Sequence, residues 1–398
     1  MKQIIILTIV GTFLLSCSHG DRQMSSPFIN LDRQDKVSIF DIFESVDLVL
    51  LETTDESLIS RISQVVHFND RYYALDRAQS ILFCFDSTGN FLFKISNQGQ
   101  GPEEYIRIDN FNIDPHNNQL LLLEPWGVLH AYDLEGNFIS KTRLPSEVVA
   151  YNEVFVLDEN RLIFSNANLD ELVFYNRIEN AIYDRRYGLD MELRRKSESI
   201  FMPIRRTYSY AGDLFFSPKP SNEIINLSDS TIFVWNFGKQ TNTKEIIEQL
   251  KKVILRSENN RFRPEPTQWE YDWVGENLLR NIPRANFETS RYKISVLSLG
   301  RGILKHVFFD KKTGKAFVFD QTTEGIRFSV PIFGNESVIA FCRGRAPGQR
   351  HDNPESRFLE LYYHPSIFTE EQRRLYESRK EDDNPFLVRY NFKQWNDK

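Results

Sequence analysis

The chain has 398 residues, of which 41% are hydrophobic, 26% charged and 13% aromatic, with 32 Phe and 16 Tyr. That is an ordinary globular mix, too long for one small core and rich in residues that favour sheet. A diffuse formal charge of -6 at pH 7 offers no basic footprint, which argues against nucleic-acid binding.

The chain opens with Lys2, then apolar runs at 4–10 and 13–15 interrupted by Gly11 and Thr12. Such a stretch is too short for a convincing span and fits an export signal. It ends in Leu14-Leu15-Ser16-Cys17, the pattern of a bacterial lipobox. On this reading residues 1–16 are a signal peptide. Cys17 is acylated on its sulfur and on its freed amine, giving a membrane anchor, not a span. Residues 18–27 are small and polar, so 17–36 is expected to be lipidated Cys and tether, and 37–398 the folded domain. Of the remaining cysteines, Cys84 and Cys342 sit in apolar strand-like runs. Two cysteines make no disulfide framework, and buried free thiols are expected, with an oxidised pair the alternative.

Residues 40–52 read as a strand with no partner in its own unit, expected to close a ring by joining the last blade at 46–51. Next come two near-copies, ILFCFDSTGNFLFKI at 81–95 and VLHAYDLEGNFISKT at 128–142. Asp86 and Asp133 stand 47 residues apart, as do Gly89 and Gly136. Strand–turn–strand units at that period, with no crossover helix, indicate a propeller. The first unit places strands at 65–68, 72–76, 81–86 and 91–95, and the second at 111–114, 120–123, 128–133 and 138–142. Between them NQGQGPEEY (97–105) reads as a shaped connection. It lacks the Lys, Ser/Thr and helix of a phosphate loop, and Glu103-Glu104 would repel an anion.

Units three and four fall at 148–186 and 201–238. At 242–256 an amphipathic helix with Asn242 as cap interrupts the pattern, followed by an Arg-, Pro- and aromatic-rich stretch at 261–282. Unit five covers 287–320, with Thr313-Gly314 at its clearest turn. Unit six is expected to combine strands at 337–342, 358–363 and 386–391 with 46–51, and a short helix at 369–380 capped by Thr369 and Gln372. The expected fold is therefore all-β: a six-bladed β-propeller with short helical inserts, closed by an N-terminal strand in the last blade. Seven blades is the alternative.

The lipobox, the early strand at 48–52, the unit YALDRAQSILFCFDSTGNFLFKI, the NQGQGPEEY loop and the closing NPFLVRYNF together resemble the six-bladed β-propeller lipoproteins of Bacteroides-type bacteria. That group is related in architecture to NHL and TolB-like propellers. The resemblance implies the fold and a lipid-anchored place in the cell envelope, with the outer membrane preferred. It implies no activity and no catalytic residues.

The residues themselves show no HExxH, no zinc spacing among seven His and no Gly-x-Ser-x-Gly elbow. Asp86 and Asp133 read as turn caps, not calcium ligands. Candidate ligand contacts are Trp126, after a strand and Glu124-Pro125, and the arginines Arg205, Arg206, Arg343 and Arg345. An aromatic face stacks on sugars or peptides, and guanidinium forks grip carboxylates. The expectation is a monomeric, cofactor-free, non-catalytic lipoprotein that binds a protein, peptide or glycan and no nucleic acid. The alternative is a carbohydrate-active lyase or hydrolase on the same scaffold.

Overall fold

A computed structural model describes residues 23–148, 151–166, 171–188, 207–218, 220–256, 281–299, 303–328, 332–334, 336–342, 363–380 and 382–394. The first strands are β1 (Gln23–Ser25) and β2 (Phe43–Leu50), with a one-turn helix α1 (Ile39–Ile42) between them. Blade 1 is β3 (Gln64–Phe68), β4 (Arg71–Asp76), β5 (Ile81–Asp86) and β6 (Phe91–Ile95). Blade 2 is β7 (Asn110–Asp114), β8 (Gln119–Glu124), β9 (Val128–Asp133) and β10 (Phe138–Arg143). Blade 3 is β11 (Glu153–Val156), β12 (Arg161–Asn166), β13 (Glu171–Asn176) and β14 (Ala181–Arg186). Blade 4 is β15 (Thr207–Tyr210), β16 (Asp213–Phe216), β17 (Glu223–Asn226) and β18 (Ile232–Val234). Blade 5 is β19 (Ile282–Glu288), β20 (Tyr292–Ser298), β21 (Leu304–Asp310) and β22 (Ala316–Phe319). Blade 6 is β23 (Ile332–Gly334), β24 (Ser337–Cys342), β25 (Phe386–Phe392) and, last, β2.

The middle strands are apolar on both faces because both faces are covered. In β8, Leu120 and Leu122 join a core with Tyr73, Leu75 and Leu82 of blade 1, while Leu121 and Leu123 join one with Val154, Leu162 and Phe164 of blade 3. Period-two alternation thus divides one run of leucines between two neighbours. Further cores join blades 3 and 4, blades 4, 5 and 6, and blades 6 and 1, so the six sheets form a closed ring.

The turn after the third strand repeats one device. Asp86 accepts from the amides of Thr88 and Asn90 (both 2.9 Å), and Asp133 from those of Glu135 and Asn137 (3.0 and 2.8 Å). Asn176, Asn226 and Asp310 cap the same turn in blades 3, 4 and 5. Asp86 and Asp133 are therefore turn residues, as their sequence context indicates.

The ring closes through β2, antiparallel to β25 from Phe43↔Phe392 to Leu50↔Phe386. The amide of Glu52 then donates to the Gly89 carbonyl of blade 1 (2.8 Å). Gly89 has φ +96, and a Cβ there would overlap the Leu50 carbonyl oxygen, so only glycine fits this seam. Asn384 adds a latch: its side-chain oxygen accepts from the Ile59 amide (2.8 Å), and its nitrogen donates to the carbonyls of Glu52 and Ser57 (2.7 and 2.8 Å).

The expected tether is corrected by the structure. β1 adds to the outer edge of blade 4, parallel to β18, pairing Gln23↔Ile232 and Ser25↔Val234. The chain continues along blade 5, where the Asp35 amide donates to Val318 (2.8 Å), and Ile29, Leu31 and Val37 are buried. Those three apolar side chains explain why a largely polar segment packs. Packed structure therefore already runs from Gln23, the first of the described residues.

Three other expectations change, and a fourth holds. Residues 39–42 are helical, because Ser38 and Asp41 form a reciprocal cap. Helix α2 (Lys244–Arg256) is capped by Thr243, whose hydroxyl accepts from the Ile246 amide (3.4 Å). Asn242 is instead buried, donating to the carbonyls of Pro220 (2.6 Å) and Asn281 (2.9 Å). Blade 6 takes β23 as its fourth strand, while Tyr363 lies outside any strand and 358–362 outside the described residues. Helix α3 (Glu370–Glu377) has the expected Thr369/Gln372 cap, and Gln372 also donates to the Val46 carbonyl of β2 (2.9 Å).

Candidate functional site

The rim of blade 2 is built from two connections. The first is the turn between β8 and β9, Glu124-Pro125-Trp126-Gly127-Val128. Gly127 takes φ +74, its amide donates to the Glu124 carbonyl (3.2 Å), and its carbonyl accepts from the Leu144 amide (2.9 Å). The turn is thereby fixed at both ends, yet Trp126 is 46% exposed.

The second connection is the 97–109 loop arriving from blade 1. Tyr105 is buried and donates its hydroxyl to the carbonyls of Ser80 (2.7 Å) and Ile95 (3.0 Å). Glu104 folds back so that its carboxylate accepts from the Gly101 amide (2.6 Å), filling with the chain's own charge the place an anion would take. Next to it Ile106 is 57% exposed, and its amide donates to the Glu124 carboxylate (3.3 Å). Arg107 forks onto the buried Asp109 (2.6 Å) while half of its side chain remains in solvent.

Beneath this surface Glu124 Oε1 meets His130 Nε2 at 2.6 Å, both buried. The edge of Tyr105 packs on the His130 ring, 5.9 Å between centroids. His130 Nδ1 is buried with no partner. The pair anchors the two connections on which Trp126 and Ile106 are displayed. Its signal was present in the sequence: β8 pairs with β9 in the register Leu122↔His130 and Glu124↔Val128, so Glu124 and His130 are diagonal neighbours on one face.

A second polar cluster joins blades 4 and 5. Glu288, at the end of β19, pairs with the buried Lys293 and with Lys311 (3.1 Å). Lys311 also donates to the Tyr210 hydroxyl (3.2 Å). Lys293 lies over the Phe233 ring at 4.5 Å. Burial pulls the Lys293 ammonium below the usual lysine range, against the opposing charge of Glu288. Burial, then Glu288, pushes the Tyr208 phenol well above its usual value. Glu288, Lys293, Lys311 and Tyr210 satisfy one another at the seam between blades 4 and 5, while the Tyr208 hydroxyl is buried without a hydrogen-bond partner, so we read the cluster as a structural tie. Glu288 and Lys293 are cross-strand partners within one hairpin of blade 5, whereas the contacts of Lys311 with Tyr210 and of Lys293 with Phe233 of blade 4 could not be read from sequence.

Two other titrating groups are held neutral. Burial lowers His306 to about 4, and burial followed by the Arg389 charge lowers His67 to about 4. Cys84 is a free, buried thiol that burial pushes up to about 12, which makes it inert. Among the described residues no group of three or more His, Cys, Asp or Glu side chains converges as for a metal ion.

Residues 27–391 match the family described as a domain of unknown function, DUF4934. The chain belongs to the DUF4934 family. Comparison with curated proteins found no match. The DUF4934 chain is similar in structure to a protein described as exported, from Bacteroides fragilis NCTC 9343, with TM-score 0.64 and 15% identity, covering 94% of this chain and 99% of that one. That likeness shows the propeller fold. A DUF4221 member from Bacteroides vulgatus ATCC 8482 gives TM-score 0.48 at 9% identity, over 91% of this chain and 99% of that one. BamB from Moraxella catarrhalis gives 0.37 at 10%, over 74% and 69%. Of the site residues expected in this DUF4934 chain, Trp126 lies on the blade 2 rim. Cys17, Arg205, Arg206, Arg343 and Arg345 lie outside the described residues.

Proposed function

We propose that this DUF4934 propeller is a lipid-anchored envelope protein that recognises a protein or glycan ligand on the rim of blade 2. The observation that carries the reading is Trp126, half exposed on a turn held rigid from beneath. An aromatic that is already fixed loses little freedom when a sugar or peptide face stacks on it, so contact is converted efficiently into affinity. Ile106 extends the apolar surface, and Arg107 offers exposed guanidinium donors beside it. Recognition is favoured over catalysis because the buried Glu124–His130 pair lies under the displayed side chains. The anchor is proposed on Cys17, from the lipobox pattern. Among the described residues no helix is long and apolar enough to cross a membrane.

The reading is tested by titrating a soluble domain beginning at His19 with envelope polysaccharide fragments and peptides while assaying for products. Saturable binding without turnover supports it. Product formation would replace it with the enzyme reading. Absence of binding to either class would remove the recognition proposal.

A further inference from the structure

We propose that the ring stands edge-on at the membrane, with the outer edge of blade 4 against the bilayer and both circular faces open. This rests on the reading that Cys17 carries the lipid. Gln23, the first residue of β1, lies six residues along the chain from Cys17. Even fully extended, six residues span at most about 20 Å. From Gln23 onward the chain has no slack. β1 is paired to β18, the Ser26 amide donates to Val234 (3.0 Å), and the Ile29 amide donates to Asn236 (2.9 Å). Asn236 returns a bond from its amide to the Ser26 hydroxyl (2.9 Å), and Ile29 is buried. A lipid on Cys17 therefore holds one particular part of the ring, the circumference of blade 4.

That edge has a surface suited to lipid. β1 is exposed along its whole length, with Met24 at 57% and Phe28, just beyond it, at 65%. Phe28 leans on Gly238 and remains largely open, a fixed aromatic rather than a floppy one. Asp32 and Lys239 flank the strip with opposite charges, so the contact is apolar and owes little to lipid charge. Outer strands are usually blunted against pairing with other chains, and a bilayer covering β1 would serve that end. Blade 2 is two blades from this edge, so the Trp126 rim stays clear of the membrane.

The test uses the full lipidated chain in liposomes that carry a quencher on the lipid tails. An environment-sensitive fluorophore is placed by Phe28→Cys and, separately, by Leu92→Cys on β6. Blade 1 lies opposite blade 4 in a six-bladed ring, and Leu92 is also exposed. Cys342→Ala removes one background thiol, and Cys84 is buried. Strong quenching at Phe28→Cys with little at Leu92→Cys is expected, and Met24→Cys provides a second site should Phe28→Cys fold poorly. Equal quenching at both edges, or none at either in protein that remains membrane-bound, overturns the orientation. If Cys17→Ser partitions into membranes as well as wild type, it is the anchor reading that fails.

Discussion

Asp76 offers the sharpest test of how the ring is held together. Its carboxylate is fully buried at the end of β4. Oδ1 accepts from the amides of Ala78 (3.0 Å) and Gln79 (3.1 Å). Oδ2 accepts from the amides of Ser60 (2.7 Å) and Arg61 (2.8 Å), the Ser60 hydroxyl (2.7 Å) and the Gln79 side-chain amide (2.8 Å). Residues 60 and 61 belong to the connection from β2 into blade 1, so this one side chain fastens the closing segment to the first blade. Asp76→Asn keeps the shape and removes the charge. In either orientation its amide nitrogen must face two backbone donors, Ala78 and Gln79 or Ser60 and Arg61. Removing one partner from a buried charged network costs about 3–5 kcal/mol. Urea unfolding followed by Trp fluorescence should show a loss of that order at pH 7. Burial opposes ionisation of Asp76, but the hydrogen bonds from Gln79, Arg61 and Ser60 outweigh it and hold the carboxyl below its usual range. Its contribution is thus complete above the unfolded-state pKa and drains away as pH falls through the lower folded value. The gap between wild type and Asp76→Asn should narrow below about pH 4. A loss under about 1 kcal/mol at pH 7 would refute the network argument, since even one stranded buried donor costs more.

Gly89→Ala should destabilise more than Gly314→Ala in the same unfolding assay. Both have positive φ, a strain of about 1 kcal/mol for alanine. Only Gly89 meets a neighbour at the ring seam, adding roughly 2 kcal/mol, whereas a Cβ at Gly314 meets nothing. His306 donates through Nδ1 to Phe319 (3.2 Å) and accepts at Nε2 from the Phe328 amide (3.0 Å), so it folds neutral. Between the ordinary histidine value of 6.5 and its folded value of about 4, the unfolded chain takes up a proton that folded His306 refuses. Stability should therefore fall as pH drops from 6.5 to 4, by about 3 kcal/mol in all from this group. His306→Gln should flatten that window, and an unchanged pH profile would contradict the assignment. Cys84 should react with a thiol reagent only at the rate of unfolding, and rapid labelling of the native protein would show that its burial is misjudged.

The repeat made most of the architecture legible. The Asp–Gly–Asn turns at 86–90 and 133–137 and the four-leucine run of β8 encode strands, turns and two covered faces at once. The closing strand was also readable, because Val46 to Leu50 is a strand with no partner in its own unit. Three features escaped. β1 is three residues, Gln-Met-Ser, with no alternation, and it exists only because β18 offers an edge. The helical turn at Ile39–Ile42 lies in a run that looks extended until Asp41 is seen to return to the Ser38 amide (2.8 Å). β23 is a three-residue strand preceding a more conspicuous one. At the site, the exposure of Trp126 follows from its turn, and Glu288 and Lys293 face each other within the β19–β20 hairpin, whereas the bond from Lys311 to Tyr210 depends on blades 4 and 5 meeting in space.

The central claim is that the blade 2 rim recognises a ligand through Trp126. Its most direct test is calorimetric titration of wild type and Trp126→Ala with the same binding-positive glycan or peptide fraction, with urea midpoints measured in parallel. The account predicts an affinity loss of about tenfold or more at an unchanged midpoint, since an exposed aromatic contributes to contact and not to the core. Equal affinity in the two proteins would contradict it and move the recognition surface away from blade 2.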